Sequence, residues 1–125
     1  MHSIEHALSA YFDITHGAGL AIITPRWMKE ILSDKTVERF TTLGTLLFGF
    51  DSSLSDMEMA GKVLDAFYNF FESRGIPMHL GELGVKEDKI EEMVDHILAN
   101  DSTNEPYMFA PLDKSALVRI LKASM

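Results

Sequence analysis

The sequence contains no cysteine among its 125 residues. Disulfide bonds and thiolate metal sites are therefore excluded, and a metal ion would need histidine and carboxylate ligands. Positive charge is also scarce, since 11 Lys and Arg residues stand against 19 Asp and Glu residues and the formal net charge is −8. Nucleic acids and anionic membrane surfaces attract clustered basic residues, so we expect neither as a partner.

Long apolar runs are missing as well. The longest one, from Gly17 to Thr24, falls well short of the roughly 20 residues that a membrane-spanning helix needs. A basic start followed by an apolar run, the pattern typical of a signal peptide, does not occur either. We therefore expect a cytoplasmic protein, and the chain length fits one domain with a substantial core.

Apolar residues recur at helical spacing along most of the chain, and no segment alternates as a strand would. Residues 88–100 follow the i, i+3, i+4, i+7, i+8 pattern of a helix with one buried face. Similar spacing predicts helices over 36–48 and 55–74, and a last helix that starts at about Asp113, a favourable N-cap residue. The sequence thus predicts an all-α domain of five to seven helices.

Two segments are irregular in composition. Residues 75–87 are punctuated by glycine and proline, and residues 100–113 mix turn-forming residues with two prolines, so both are predicted to be ordered loops. His79 and His96 are predicted to be ordinary surface or hydrogen-bonded residues, because an isolated histidine seldom marks a functional site.

The other three histidines lie within the first 16 residues, at His2, His6 and His16. His2 and His6 share one face of a helix, but an unbroken helix would hold His16 roughly 21 Å from His2. Residues 13–15 are poor helix formers, and Thr15 is suited to cap a second helix. The sequence therefore predicts a helical hairpin that turns His2 and His16 toward one point, with His6 on the same face.

Two glycines, Gly17 and Gly19, follow His16. Glycine lets the backbone approach a bound group closely, and the N-terminus of a helix attracts anions. Spacing alone leaves two interpretations open, a metal or catalytic site and a set of surface histidines, because HxxxH pairs arise by chance.

The stretch HSIEHALSAYFDITHGAGLAIITPRWM resembles the metal-site segment of the iron-containing (group III) alcohol dehydrogenases, most closely their NADH-dependent butanol dehydrogenase branch. That segment has a His, three residues, a second His, nine residues, and an HGxG or HGxA that opens a helix ending near a proline. The matching residues here are His2, His6, His16, Gly17, Gly19 and Pro25. Residues 74–98 and 111–124 also resemble the helical tail of these enzymes.

The resemblance implies the helical C-terminal domain of the dehydroquinate synthase-like fold for residues 1–125. It implies that His2 and His16 bind one divalent ion, Fe²⁺ or Zn²⁺, and that His6 lies beside the nicotinamide and substrate as a catalytic proton-relay or positioning residue. The ion would act as a Lewis acid on the oxygen of a small alcohol or aldehyde such as butanol, with NAD(H) or NADP(H) as the hydride carrier.

Family members also have a longer N-terminal dinucleotide-binding domain, which supplies an Asp and a further His to the metal. This sequence has no strand-rich α/β half and no glycine-rich phosphate turn, so we expect the C-terminal domain alone, with the missing domain as its partner. Glu5, Asp13 or His6 would have to complete a self-contained metal site. We expect instead that the isolated chain is inactive and self-associates as a homo-oligomer through uncovered apolar faces.

The alternative is a non-catalytic helical binding or regulatory module in which the histidines are remnants. In that interpretation Glu5, Asp13, Met57 and Met59 belong to an interaction surface, because flexible methionine side chains adapt to partners. Core filling is the simpler role for the two methionines.

Overall fold

The protein, described by a computed structural model over residues 1–100 and 110–125, is built of six α-helices. They span His2–Phe12 (α1), His16–Ile31 (α2), Val37–Leu46 (α3), Asp56–Ser73 (α4), Ile90–Asn100 (α5) and Lys114–Ala123 (α6). Short 3₁₀ helices at Leu80–Leu83 and Glu87–Lys89 precede α5. Within the described ranges no residue belongs to a β-strand, so the predicted all-α fold is confirmed.

The helix ends follow the signals in the sequence. α4 begins after Ser55 and ends before Gly75, whose φ of 79° lies in the left-handed region that favours glycine. The backbone N–H and the hydroxyl of Ser55 donate to the Glu58 carboxylate at 3.1 and 2.5 Å. Asp113 caps α6 as predicted, because its carboxylate accepts the backbone N–H of Ala116 at 2.7 Å.

α2 is the central helix of the domain and contacts α1, α4 and α6. α5 packs against α1 and α6, while α3 pairs with α4. Each helix contributes its apolar face to the core, whose enclosed side chains include Ile4, Leu8, Ile22, Ile23, Ile90, Met93, Leu117, Ile120 and Leu121. Burying one such side chain stabilises the fold by about 1.5–3 kcal/mol, so this core holds α1 and α2 in a fixed relation.

Pro25 lies inside α2, which continues to Ile31. The expectation that the helix ends near this proline is therefore wrong. Proline removes one backbone donor from the helix, and the hydroxyl of Thr24 donates to the carbonyl of Leu20 at 2.6 Å beside it. Core residues lie on both sides of the proline within α2, so tertiary packing outweighs the loss of one hydrogen bond.

Arg26 ties α2 to the segments around it. Its guanidinium donates to the carbonyls of Ile22 at 2.9 Å, Met78 at 2.7 Å and Ala123 at 3.4 Å. The loop after α4 and the end of α6 are thereby fixed to the central helix.

α3 and α4 approach one another closely at Gly44. A Cβ atom there would lie 2.3 Å from the sulfur of Met59, so a larger residue would force the Met59 side chain or the helices to shift. Met59 is 2% exposed, which confirms core filling for this residue, whereas Met57 is 53% exposed, so core filling is wrong for Met57.

The loop predicted over residues 75–87 is irregular apart from its 3₁₀ helix. Leu80 anchors this loop, because its side chain is buried and its N–H donates to the carbonyl of Ser124 at 2.7 Å. Residues 101–109 of the second predicted loop lie outside the described residues. Of the helices described, none has the length and hydropathy required to cross a membrane.

Candidate metal and catalytic site

The turn between α1 and α2 forms where the sequence predicts a break. Asp13 adopts a left-handed conformation with φ 53° and ψ 36°, and its N–H donates to the carbonyl of Ser9 at 3.0 Å. Ile14 is 7% exposed and anchors the turn to the core. Thr15 occupies the predicted N-cap position of α2, but its side chain makes no capping hydrogen bond. Its carbonyl accepts the N–H of Gly19 at 3.0 Å.

This turn brings His2, His6 and His16 together. The ring centroid of His16 lies 5.7 Å from that of His2 and 5.6 Å from that of His6, and the His2 and His6 centroids are 6.4 Å apart. All three residues are exposed, and the side chain of His16 retains 52% of its accessible surface. The structure therefore has the three predicted histidines on one accessible face of the hairpin, with Gly17 in the first turn of α2.

Glu5 contacts the same cluster from the interior of the domain and is fully buried, with 0% exposure. One of its carboxylate oxygens accepts a hydrogen bond from Nδ1 of His16, and the other accepts one from the hydroxyl of Ser9. The Ser9 oxygen also lies 2.9 Å from the carbonyl oxygen of Ile14. The carboxylate thus contacts Ser9 of α1 and His16, the first residue of α2.

A buried carboxylate costs considerable free energy unless hydrogen-bond donors surround it. The hydrogen bonds that Glu5 accepts meet this structural requirement. In the sequence Glu5 lies beside Ile4 and one turn before Leu8, both of which are buried. Glu5 is a charged residue within the buried face of an amphipathic helix, and this position in the sequence was the signal for its structural role. From the sequence, Glu5 was expected to be a metal ligand or part of an interaction surface, and its contact with His16 was not predicted.

Glu5, His6 and His16 also form a possible donor set. Each offers one nitrogen or oxygen atom that could bind a metal, and these atoms lie within 4.8 Å of one another. Two imidazoles and a carboxylate suit first-row divalent ions. Asp13, the other acidic residue considered, is exposed at the end of α1.

The two glycines after His16 have different surroundings. A Cβ atom on Gly19 would lie 2.8 Å from Cγ and 3.1 Å from Oε1 of Glu5, whereas one on Gly17 would meet nothing within 4 Å. Gly19 therefore allows a close approach, but to a side chain of the protein itself and not to the bound group that the sequence suggested.

The remaining two histidines lie apart from this cluster in the chain. His79 precedes the 3₁₀ helix at Leu80–Leu83, and His96 is an exposed residue of α5. The ring of His96 stacks edge-on against Tyr11 with centroids 5.9 Å apart. These contacts agree with the surface role predicted for them.

Comparisons with known proteins identify the family of this chain. The model for the C-terminal part of the Fe-containing alcohol dehydrogenase family matches residues 1–125. The NADH-dependent butanol dehydrogenase A of Clostridium acetobutylicum is 39% identical over 123 residues, which cover 98% of this chain and 31% of that protein. A probable NADH-dependent butanol dehydrogenase of Bacillus subtilis is 34% identical over 125 residues, covering 99% of this chain and 31% of the relative.

The solved structures give the same result. The crystal structure of NADH-dependent butanol dehydrogenase A from Thermotoga maritima superposes with a TM-score of 0.83 at 32% identity, over 98% of this chain and 32% of that one. The chain thus spans about a third of the length of the relatives that it matches. The family model matches residues 1–125 of the chain, and a relative is 39% identical. This chain therefore belongs to the iron-containing alcohol dehydrogenase family and corresponds to its helical C-terminal domain.

Proposed function

We propose that the chain supplies part of the metal site of an alcohol dehydrogenase that interconverts small alcohols and aldehydes, such as butanol and butanal, with NAD(H) or NADP(H). The observation that carries this proposal is the convergence of three exposed imidazoles, with ring centroids no more than 6.4 Å apart. The relatives named NADH-dependent butanol dehydrogenases support the proposed substrate class and the nicotinamide cofactor.

His2 and His16 are the proposed protein ligands. Neutral imidazole nitrogens suit Fe²⁺ and Zn²⁺ alike, and the exposure of both rings leaves room for further ligands from outside the chain. When bound, such an ion supplies Lewis acidity that favours loss of a proton from an alcohol oxygen or polarises a carbonyl oxygen. Because a catalytic site of this kind ordinarily has at least three protein ligands, we expect a dinucleotide-binding domain to complete the set.

His6 is the proposed catalytic residue. It lies one turn after His2 on α1, and its ring is exposed 5.6 Å from that of His16. A histidine that does not itself bind the ion can take a proton from a substrate hydroxyl or return it, because imidazole changes its protonation state near neutral pH.

A domain exchange tests the proposal. In the NADH-dependent butanol dehydrogenase A of Clostridium acetobutylicum, the 123 matching residues are replaced by this chain. We expect the hybrid to reduce butanal with NADH when supplied with Fe²⁺ or Zn²⁺, and the 125-residue chain alone to show no turnover. A hybrid that binds NADH and metal but does not turn over would contradict the proposed function, and turnover by the isolated chain would contradict the need for a second domain.

A further inference from the structure

We propose that Glu5 is a positioning residue for His16, holding the ring proton on Nδ1 so that Nε2 is the nitrogen free to bind a metal. The contact that carries this inference is the hydrogen bond from His16 Nδ1 to a carboxylate that is itself 0% exposed. The inference rests on the proposed metal-binding role of His16 and deepens it.

The chemistry of imidazole makes this contact selective. A neutral imidazole has one nitrogen that carries a proton and one that offers a lone pair. A carboxylate can only accept, so the nitrogen that faces Glu5 must carry the proton. Histidines that bind metals generally donate their second nitrogen to a carboxylate or carbonyl, which fixes the orientation of the ring and raises its basicity.

The carboxylate is itself held in place. The hydroxyl of Ser9 donates to its second oxygen, and Gly19 leaves the space that its Cγ and Oε1 occupy. Glu5 therefore cannot rotate away from His16 without leaving buried polar atoms unpaired. The His16 ring, in contrast, keeps 52% of its surface, so the contact with Glu5 does not enclose it.

The burial of Glu5 favours positioning over ligation. Each carboxylate oxygen accepts one hydrogen bond, from His16 or from Ser9, and keeps a further lone pair, so these contacts do not by themselves prevent metal binding. The carboxylate is 0% exposed, however, whereas the three imidazoles are exposed to an incoming ion.

The tautomer of His16 is measured directly in the 125-residue chain by long-range ¹H–¹⁵N spectra at about pH 8.5, where imidazoles are ordinarily neutral. We expect the Nδ1–H form in the wild type and in Glu5→Gln, whose amide oxygen still accepts, and the Nε2–H form or a mixture in Glu5→Leu. An Nε2–H ring in the wild type would overturn the inference, as would a folded Glu5→Leu variant with an unchanged tautomer.

Measuring the affinity for Co²⁺, used as a probe, distinguishes a positioning role of Glu5 from a role as a metal ligand. We expect Glu5→Leu to weaken binding by about 10- to 100-fold and Glu5→Gln to restore most of the affinity. Equal losses in the two variants would identify Glu5 as a ligand and overturn the inference. His2→Ala and His16→Ala test the proposed function independently. An unchanged affinity for Co²⁺ in these variants would refute the metal site, and the tautomer of His16 would still decide the role of Glu5.

Discussion

At the scale of single residues, Gly19 and Glu5 pack closely against one another. An added Cβ on Gly19 would lie 2.8 Å from Cγ of the buried Glu5, so Gly19→Ala must displace the carboxylate or move α2 away from α1. We expect a loss of about 1–3 kcal/mol in the free energy of unfolding, measured by urea denaturation.

Gly17→Ala is the matched control, since its Cβ would meet nothing within 4 Å. Alanine is a better helix former than glycine, so we expect this variant to be at least as stable as the wild type. Equal stability of the two alanine variants would contradict the packing described for Gly19.

Part of the site could be predicted from single residues and part could not. Helical periodicity and the weak helix formers at residues 13–15 were enough to predict that His2 and His16 converge, because this convergence depends on local chain geometry. The contact between Glu5 and His16 depends on how α1 and α2 pack, and residue spacing does not determine that. The role of Gly19 was missed for the same reason, since it follows from the position of the Glu5 side chain.

At the scale of helices, the N-cap of α6 gives a prediction that needs no knowledge of the site. The Asp113 carboxylate accepts the backbone N–H of Ala116 at 2.7 Å. We expect Asp113→Ala to lower the free energy of unfolding by about 1 kcal/mol and Asp113→Asn to restore most of it, because asparagine is an equally good cap. Chemical denaturation measures both, and equal stabilities for alanine and asparagine would contradict the cap.

The hydrogen bonds at the start of α4 make the free energy of unfolding depend on pH. The pKa of Glu58 is lowered from its usual 4.5, first by the hydrogen bond from the Ser55 hydroxyl and then by that from the Ser55 backbone N–H. Because the pKa is lower in the folded than in the unfolded chain, ionised Glu58 stabilises the fold above pH 4.5 and loses this effect as the pH falls through the lower, folded-state pKa.

We therefore expect Glu58→Gln to lower the urea midpoint at pH 7 and the difference from wild type to shrink in acid. In a Ser55→Ala background the same change should matter less, since the main donor to Glu58 is gone. A difference that stays constant from neutral to acid pH would contradict this account.

The helices themselves were predicted well because their signals are local. Apolar spacing and Asp113 at the N-cap of α6 correspond to the observed elements. Pro25 was misjudged because the packing of α2 on three other helices outweighs a local preference. The residues next to Pro25 in the sequence do not indicate tertiary contacts of this kind.

At the scale of the whole molecule, two leucines at the end of α3 are left uncovered, with 83% exposure for Leu46 and 61% for Leu47. Large exposed apolar side chains favour association, so we expect the 125-residue chain to form dimers or larger species as its concentration rises. A Leu46→Lys, Leu47→Lys double variant should shift the population toward monomer. Sedimentation velocity measures both, and a strict monomer at high concentration would contradict the expectation.

In the proposed site, His2 and His16 bind the metal while His6 serves the reaction. Metal content and turnover of the hybrid enzyme, measured together for three alanine variants, test this most directly. We predict that His2→Ala and His16→Ala lose the ion, whereas His6→Ala keeps its metal and loses about 10²- to 10⁴-fold in turnover, the usual contribution of a general acid or base. Equal loss of metal in all three variants, or full metal content in His16→Ala, would contradict the account.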